Sequence, residues 1–437
     1  MCIRDRNVGV FERRHEIGGC LATEEIAAPG FRGNTHATVI LPWYYLPVWR
    51  DFPDFWEFGA RWEQYLSSDG YVFKNNETSL AIYSVKHDPD QERTAEQLAR
   101  FSQRDAENWL KLWQVWQSDE YQRVQIDNMF LPAEAKADPA VMERQMAVYG
   151  KVLEAGFNMD SMFLAASPLR LVREWFDSPE LQCCILRFVI GAITDVNESG
   201  QGPVTMGIAL TLPTIGFNRG GTHMIAHSAH QICTQLGVEW HTNTEVEKVL
   251  IENGAATGIR LMDGSEVRAK KIVVSAGLHP RQLCFDLIGR EHLDGLLARR
   301  VELIEDSFGG LMWYTYAIHE APRYKAAAFN PDINECMWLG LLPDPDPVHL
   351  ANECKYTQLQ KWPPIQDYCP AVWCHSLVDP SYAPPGKHVA NTEQLVPGAT
   401  AHSEKDWLEI KKRYADDLLT LWQDYAPNMT WDNVIGV

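Results

Sequence analysis

The chain has 437 residues, of which 46% are hydrophobic, and its formal net charge is −19 at pH 7. This length exceeds one ordinary core, so at least two domains are expected. The acidic balance argues against a nucleic-acid partner, because phosphate contacts need clustered Lys and Arg. No apolar run reaches the ~20 residues of a membrane span, and no signal-peptide core is present. The composition therefore predicts a soluble, cytoplasmic protein.

The N-terminal stretch VGVFERRHEIGG predicts a β-strand that delivers Glu12 and is followed by the glycine pair Gly18 and Gly19. In a dinucleotide-binding unit, such a carboxylate accepts hydrogen bonds from ribose hydroxyls ~20 positions after a G-x-G-x-x-G loop. The glycine pair would let the backbone approach the pyrophosphate. The alternative is an ordinary strand end and a loop. Because the first strand and the glycine loop are missing here, we expect the complete gene to encode roughly 30 further upstream residues.

The next 150 residues are predicted to be mostly helical. Residues 52–66 have helical spacing, YVFKNN and SLAIYSV predict two strands, and further helices are expected at Pro139–Leu153 and Ser178–Ile193. A helix is predicted from about Gln91, with inward positions at Leu98, Phe101, Trp109, Leu112, Trp113 and Trp116. The recurrence of tryptophan at helical spacing favours a core over a substrate channel. Residues 200–221 are rich in Gly and Pro and are predicted to form a loop.

From residue 222 the pattern changes to a helix followed by strands. THMIAHSAHQICTQLG predicts the helix, and VEWHTN, EVEKVLIE and ATGIRLMDG predict strands, with a turn at Asn253–Gly254. KKIVVSAG predicts an apolar, parallel-type strand that ends at Ala276–Gly277. This is the second place where the chain has the pattern of a nucleotide-binding segment. Further strands are expected in MWYTYAIH and PAVWCHSLV, and EKDWLEIKKRYADDLLTLWQDYA predicts a long final helix.

Several stretches together carry a family resemblance. The E-R-x-x-x-x-G-G run after the first strand, the segment from GGTHM to VVSAG, and the runs RFSQRDAENW and DPSYAPPGKHV followed by QLVP resemble the phytoene desaturase and amine oxidase group. The chain is most similar to the phytoene dehydrogenase-like branch, which includes carotenoid desaturases, a carotenoid ketolase type and pyridine nucleotide-disulfide oxidoreductase domain-containing protein 2. The resemblance covers nearly the whole chain from Val8.

The resemblance implies FAD as the cofactor and an α/β fold with a Rossmann-like FAD-binding domain beside a mixed helical and β-sheet substrate domain. It implies FAD-domain ranges 1–50 and 205–300 and substrate-domain ranges 51–204 and 301–437. The FAD-binding residues that it implies are Glu12, Arg13, Gly18, Gly19, Val246, Ala276 and Gly277, with the Val246 backbone meeting the adenine. A Gly-rich C-terminal segment of the family is missing. Asn34 and His36 replace a family Asp and Gly on the flavin side.

Two patterns resemble metal sites, and each has a structural explanation. His223, His227 and His230 lie at helical spacing on one face, but no carboxylate or cysteine converges on them in the sequence. Cys369, Cys374 and His375 do not match haem or zinc spacings. No metal is therefore expected, and the cysteines are predicted to be reduced. Asp379 and His388 could form an acid–base pair, but DPSYAPPG is typical of a turn, with Asp as a cap.

The sequence thus indicates an FAD-dependent oxidoreductase that desaturates or oxidises a hydrophobic, isoprenoid- or lipid-like substrate by hydride transfer to flavin. No catalytic side chain is identified, and the oligomeric state stays open. Two alternatives stand beside it: a flavin amine oxidase-type enzyme, and a non-catalytic flavin-fold binding or regulatory protein. We expect a peripheral membrane contact for substrate access, and poor reduction by NADH, since only one nucleotide-binding unit is evident.

Overall fold

The computed structural model describes residues 7–41, 48–192, 194–272, 278–304 and 309–437. The strands, in chain order, are β1 (Gly9–Phe11), β2 (Thr23–Ala28), β3 (Phe31–Asn34), β4 (Trp62–Glu63), β5 (Ser67–Phe73), β6 (Thr78–Tyr83), β7 (Phe217–Asn218), β8 (Glu239–His241), β9 (Val246–Glu252), β10 (Ala255–Leu261), β11 (Glu266–Arg268), β12 (Gly309–Ile318), β13 (Cys336–Leu342), β14 (Ala371–Trp373), β15 (His388–Pro397) and β16 (Val434–Gly436).

The α-helices are α1 (Glu92–Ala99), α2 (Gln103–Trp116), α3 (Asp119–Phe130), α4 (Ala133–Lys136), α5 (Pro139–Glu154), α6 (Ser161–Ala165), α7 (Pro168–Trp175), α8 (Pro179–Gly191), α9 (Gly202–Ala209), α10 (His223–Gln235), α11 (Gly295–Glu302), α12 (Pro347–Gln358) and α13 (Glu404–Tyr425). Helices and a mixed sheet together confirm the predicted α/β class. Within the described part of the chain, no helix is long and apolar enough to cross a membrane.

Backbone contacts divide the chain into two compact units. The first comprises Met1–Ala22, Asp54–Ala60 and Thr222–Asp306, and the second comprises Thr23–Pro53, Arg61–Gly221 and Ser307–Val437. These bounds differ from the predicted domains, since residues 23–50 and 205–221 group with the larger unit. The β2–β3 hairpin packs there: a Cβ at Gly33 would lie 2.8 Å from Thr315 Oγ1 on β12. Which ranges bind FAD and which bind substrate stays a prediction.

The first unit contains the predicted helix-then-strand segment. β1 pairs with β8 in parallel, and β9, β10 and β11 form an antiparallel meander. The predicted turn joins β9 to β10, with φ of 52° at Asn253 and 76° at Gly254. Positive φ at both central residues is the geometry of the tight hairpin that Asn-Gly favours. The predicted strand that ends at Ala276–Gly277 lies mostly outside the described residues.

The second unit is built around a seven-stranded mixed sheet in the order β16-β12-β15-β14-β13-β5-β6. Alternate residues of a strand point to opposite faces: Tyr71 and Phe73 lie in a core shared with α2 and α8, whereas Val72 lies in the core under α13. Both faces are therefore covered by apolar side chains, as the uniformly buried strand β5 requires.

The predicted helices of this unit are largely confirmed. α5, α8 and α13 match their expected ranges, and the helix from Gln91 is interrupted only between α1 and α2, where the Ser102 side chain accepts a hydrogen bond from Asp105 N. Trp109 and Trp113 are buried, and Trp116 packs partly buried against the same core. The structural explanation of these tryptophans is therefore confirmed.

Two predictions of local structure are wrong. Residues 52–66 do not form one helix: a single 3₁₀ turn at Phe55–Phe58 ends at Gly59, whose φ of 115° cannot continue a helix, and β4 follows. Residues 200–221 are not simply a loop, since they contain α9. Pro203 lies in the first turn of α9, where a missing N–H costs nothing, so proline there starts a helix instead of breaking it.

Candidate functional site

Glu12 directly follows β1, and backbone hydrogen bonds to β8 and to the residues just after β8 fix its position. Glu12 N donates to His241 O at 2.9 Å, and Thr244 N donates to Glu12 O at 2.8 Å. The half-buried carboxylate accepts a hydrogen bond from Arg14 N at 2.8 Å through Oε1. The strand end thus presents a carboxylate of fixed backbone position, which is what hydrogen bonding to ribose hydroxyls requires.

Gly18 and Gly19 differ in their surroundings. Gly18 has a φ of +124°, and a Cβ there would lie 2.8 Å from the Ala226 Cβ on α10, so its close approach to that helix already requires glycine. Gly19 has a φ of +55°, and a Cβ there would meet no described atom within 4 Å. Only Gly19 therefore leaves open space beside its backbone, into which a pyrophosphate could come.

The structure brings the chain around Val246 close to Glu12. Val246 begins β9, half-buried, two residues after Thr244, whose N–H is bonded to Glu12. Arg13 is exposed. Ala276 and Gly277 lie outside the described residues. Of the seven residues implied for FAD, the first unit therefore brings Glu12 and the start of β9 together, while the roles of all seven stay predictions.

Two of the three histidines of α10 have separate partners. His223 Nδ1 lies 3.2 Å from Leu21 O, and the ring of His230 packs edge-on against Trp240, with centroids 4.6 Å apart. Over the described ranges, no group of three or more His, Cys, Asp or Glu side chains is arranged to hold a metal ion.

A buried polar chain centred on His375 lies in the second unit, and no sequence motif indicated it. Tyr65 OH lies 2.8 Å from His375 Nδ1, and Thr38 Oγ1 lies 2.7 Å from His375 Nε2. Thr38 also accepts a long hydrogen bond, 3.4 Å, from the side-chain amide of Asn34. Complete burial lowers the pKa of His375 to about 3, so the ring is neutral at physiological pH. Each ring nitrogen of His375 therefore has one hydroxyl partner.

The DPSYAPPGKH run has a structural role, as predicted. Asp379 caps a 3₁₀ turn by accepting a hydrogen bond from Ser381 N at 3.0 Å, and its other oxygen accepts one from Gly220 N at 2.6 Å. His388 is engaged with Ser376 Oγ at 3.1 Å. The capping oxygen explains why an aspartate begins this turn.

A buried ion pair joins α8 to the sheet. Arg187 Nη2 lies 3.0 Å from Glu393 Oε1 on β15 and 3.1 Å from the Glu393 carbonyl oxygen, and both side chains are at most 2% exposed. The Gln394 side-chain amide donates to the nearby carboxyl of Glu353. Buried charges need such partners, since desolvation of an unpaired ion costs several kcal/mol. Neither member of the pair was predicted.

Glu353 makes stability depend on pH. Burial raises the pKa of its carboxyl from 4.5 to about 8. Between these values the folded protein keeps a proton that the unfolded chain loses, so the free energy of unfolding falls as pH rises through this window. Glu353→Gln should remove that loss, measured by urea unfolding at about pH 5 and about pH 8. Exposed Glu409→Gln is the control; an unchanged pH dependence in Glu353→Gln would contradict the prediction.

The residues of the first unit fit the adenosine and pyrophosphate parts of FAD. Glu12 offers a carboxylate at a parallel strand end, and Gly19 offers an open backbone with positive φ. A carboxylate suits two ribose hydroxyls, and a side-chain-free backbone suits a bulky diphosphate. The flavin, when bound, supplies the redox chemistry.

Comparisons with known proteins identify relatives to which the chain is similar. The chain is 27% identical to a limonene dehydrogenase polypeptide of Castellaniella defragrans over 95% of its length and 74% of that protein, and 24% identical to pyridine nucleotide-disulfide oxidoreductase domain-containing protein 2 of Mus musculus over 96% and 75%. Shorter matches extend to phytoene desaturases. The fold is similar to that of a Pyrococcus furiosus protein of known crystal structure, with a TM-score of 0.54 and 14% identity over 96% of this chain and 79% of that one.

The family profile described as flavin containing amine oxidoreductase matches residues 4–293, about two thirds of the chain. That range includes Glu12, the glycine pair and the whole segment from α10 to β11. The predicted resemblance is therefore confirmed: the chain belongs to the flavin-containing amine oxidoreductase family, and it is an FAD-dependent oxidoreductase.

Proposed function

We propose that this enzyme oxidises an extended apolar, isoprenoid- or lipid-like molecule by hydride transfer to bound flavin. Limonene, in the name of one relative, is a small apolar isoprenoid, and the phytoene desaturases among the matches carry a polyene precursor in theirs. Both names describe removal of hydrogen from a hydrocarbon. Such chemistry needs binding, orientation and exclusion of water from the protein more than it needs an acid–base side chain.

The observation that carries the proposal is the pair of hydrocarbon names among the relatives. The second unit also has a row of tryptophans on one face of its large sheet. Trp373 stacks on Trp338, with ring centroids 5.0 Å apart, and meets Trp313 edge-on at 5.2 Å. The three residues come from β14, β13 and β12; Trp373 and Trp338 are 3% exposed in the core of the second unit, and Trp313 packs partly buried against it. Burial of apolar surface contributes ~25 cal/mol per Å², and of these three rings the partly buried Trp313 is the one that leaves such surface for a hydrocarbon.

We assign the two roles to the two units. The first unit would hold the adenosine part of FAD through Glu12, the Gly19 backbone and Val246, and the second would bind the substrate. Within the matched segment, the described residues contain one carboxylate at the end of a parallel strand, Glu12. We assign this single nucleotide-binding site to FAD. NADH should therefore be a poor reductant.

An amine substrate is the second candidate, because the matching family is described by amine oxidation. The test is anaerobic reduction of the flavin in the FAD-loaded protein, followed by its absorbance, with carotenoid precursors, limonene-like terpenes, amines, NADH and NADPH. We expect bleaching with the polyenes or terpenes and little with NADH. Rapid reduction by an amine or by NADH, without reduction by any isoprenoid, would overturn the proposal.

A further inference from the structure

A surface cavity of about 410 Å³ lies at one end of the large sheet of the second unit, where β12 ends and β15 begins. Two histidines line it: His319 directly follows β12, and His388 is the first residue of β15. The volume is in the range of cavities that bind small molecules. None of the described residues implied for FAD lines this cavity, so the assignment of FAD leaves it without a ligand.

A lysine contacts one of these histidines in a position that a carboxylate could occupy. Lys387 Nζ lies 2.8 Å from His319 Nδ1. Because a lysine ammonium has three donors and no acceptor, His319 Nδ1 is unprotonated and the neutral ring carries its proton on Nε2. Within the described residues Lys387 forms no ion pair, although the chain has 58 acidic residues against 39 basic ones. Two N–H groups of the ammonium therefore remain for another acceptor.

The second histidine has a similar arrangement. His388 Nδ1 lies 3.1 Å from Ser376 Oγ, which accepts a hydrogen bond from Val389 N at 3.0 Å. Ser376 can then donate its own proton to Nδ1, which favours a ring proton on Nε2. Burial lowers the pKa of His388 below its usual 6.5, so the ring is neutral near pH 7. Over the described ranges neither Nε2 has a hydrogen-bond partner, so both rings keep an N–H donor.

The charge around the cavity is positive. Glu320, the one carboxylate among the described lining residues, is paired with Arg323, with Oε2 and Nη2 2.7 Å apart. Lys387 adds a positive charge that this pair does not balance. Gly386 has a φ of +74°, and a Cβ there would meet no described atom within 4 Å, so the backbone beside Lys387 leaves open space. An accessible, positive cavity that offers N–H donors suits an anion.

We propose that this cavity binds the phosphate group of a small organic molecule. Lys387, His319 and His388 would donate to different oxygens, and a tetrahedral phosphate has enough oxygens for three separate donors, whereas a carboxylate has two. The cavity is larger than a phosphate group alone, so the ligand has room for an organic part. The site lies within the second unit, and the inference does not depend on which molecule reduces the flavin.

The test is isothermal titration of the FAD-loaded protein with glycerol 3-phosphate, inorganic phosphate and acetate at constant ionic strength in chloride. We expect one site, with glycerol 3-phosphate bound more tightly than inorganic phosphate and both more tightly than acetate. Lys387→Met should weaken binding at least about tenfold, the loss expected for one charge-assisted hydrogen bond. His319→Phe should also weaken it, whereas His319→Gln should retain most of it, because an amide can accept from Lys387 and donate to the ligand.

The matched control is Lys412→Met on α13, since Lys412 is exposed and forms no ion pair within the described residues. It should leave the titration unchanged, and thermal unfolding in chloride should be similar for all variants. Absence of binding by the wild-type protein would overturn the inference, as would equal binding by Lys387→Met or an equal loss in Lys412→Met. Acetate bound as tightly as the phosphates would also overturn it, because the cavity would then select only for negative charge.

Discussion

Arg187→Met is expected to destabilise the protein by about 3–5 kcal/mol, because it leaves the Glu393 carboxylate buried without its cation. The Nη2–Oε1 distance is 3.0 Å, and both side chains are almost completely buried. Solvent therefore screens the attraction between the two charges very little. Urea unfolding measures the effect as a lower midpoint at an unchanged m-value. Removal of the other partner, by Glu393→Leu, should also be strongly destabilising, since it leaves the Arg187 guanidinium without its carboxylate.

The double variant, Arg187→Met with Glu393→Leu, separates charge pairing from packing. It should lose much less stability than the two single changes added together, because neither charge of the pair remains. The control is Arg104→Met, whose partner Asp177 is exposed; a surface pair of this kind contributes about 0–1 kcal/mol. Additive losses in the double variant would show that Arg187 and Glu393 act through their packing and not through their charges.

Glu12→Ala is expected to weaken FAD binding by about 1–3 kcal/mol, the range for losing hydrogen bonds to a charged acceptor. This corresponds to about fivefold to about 150-fold in Kd, measured by titration of the apoprotein with FAD. Glu12→Gln keeps an acceptor for Arg14 N but loses the charge, so its loss should be smaller.

Exposed Glu247→Ala, on β9 of the same unit, controls for a general change in charge. Thermal unfolding without FAD should be similar for Glu12→Gln and the wild type, which separates cofactor binding from folding. Unchanged FAD affinity in Glu12→Ala would show that the carboxylate serves only its hydrogen bond to Arg14 N, and the assignment of the first unit to the adenosine would then lose its main support.

Sequence reasoning was most accurate where one local pattern decides the structure. The apolar periodicity of α5, α8 and α13 predicted their ranges, and Asn253–Gly254 predicted its hairpin, because side-chain spacing and turn chemistry act within a few residues. It was least accurate at residues 52–66, where Gly59 ends a single turn. The apparent helical spacing there was overridden by one backbone position with a φ of 115°.

In the candidate site, too, local motifs could be recognised in the sequence, whereas the surroundings of each residue could not. Glu12, Gly18, Gly19 and Val246 could be named from motifs, since a strand-end carboxylate and a glycine pair have recognisable spacing. The structure added that Gly18 is required by the close approach of α10, whereas Gly19 is the position beside open space. No sequence pattern distinguishes these two glycines, because the difference depends on a helix more than 200 residues away.

The sequence by itself determined the family, the cofactor and the alternation of helical and β segments, because these depend on local motifs and periodicity. Tertiary structure alone decided the partners of the buried polar groups. Tyr65 and His375 are 310 positions apart, and Arg187 and Glu393 are 206 apart. A buried arginine and an exposed one look alike in a sequence, since burial is decided by which surfaces the folded chain brings together.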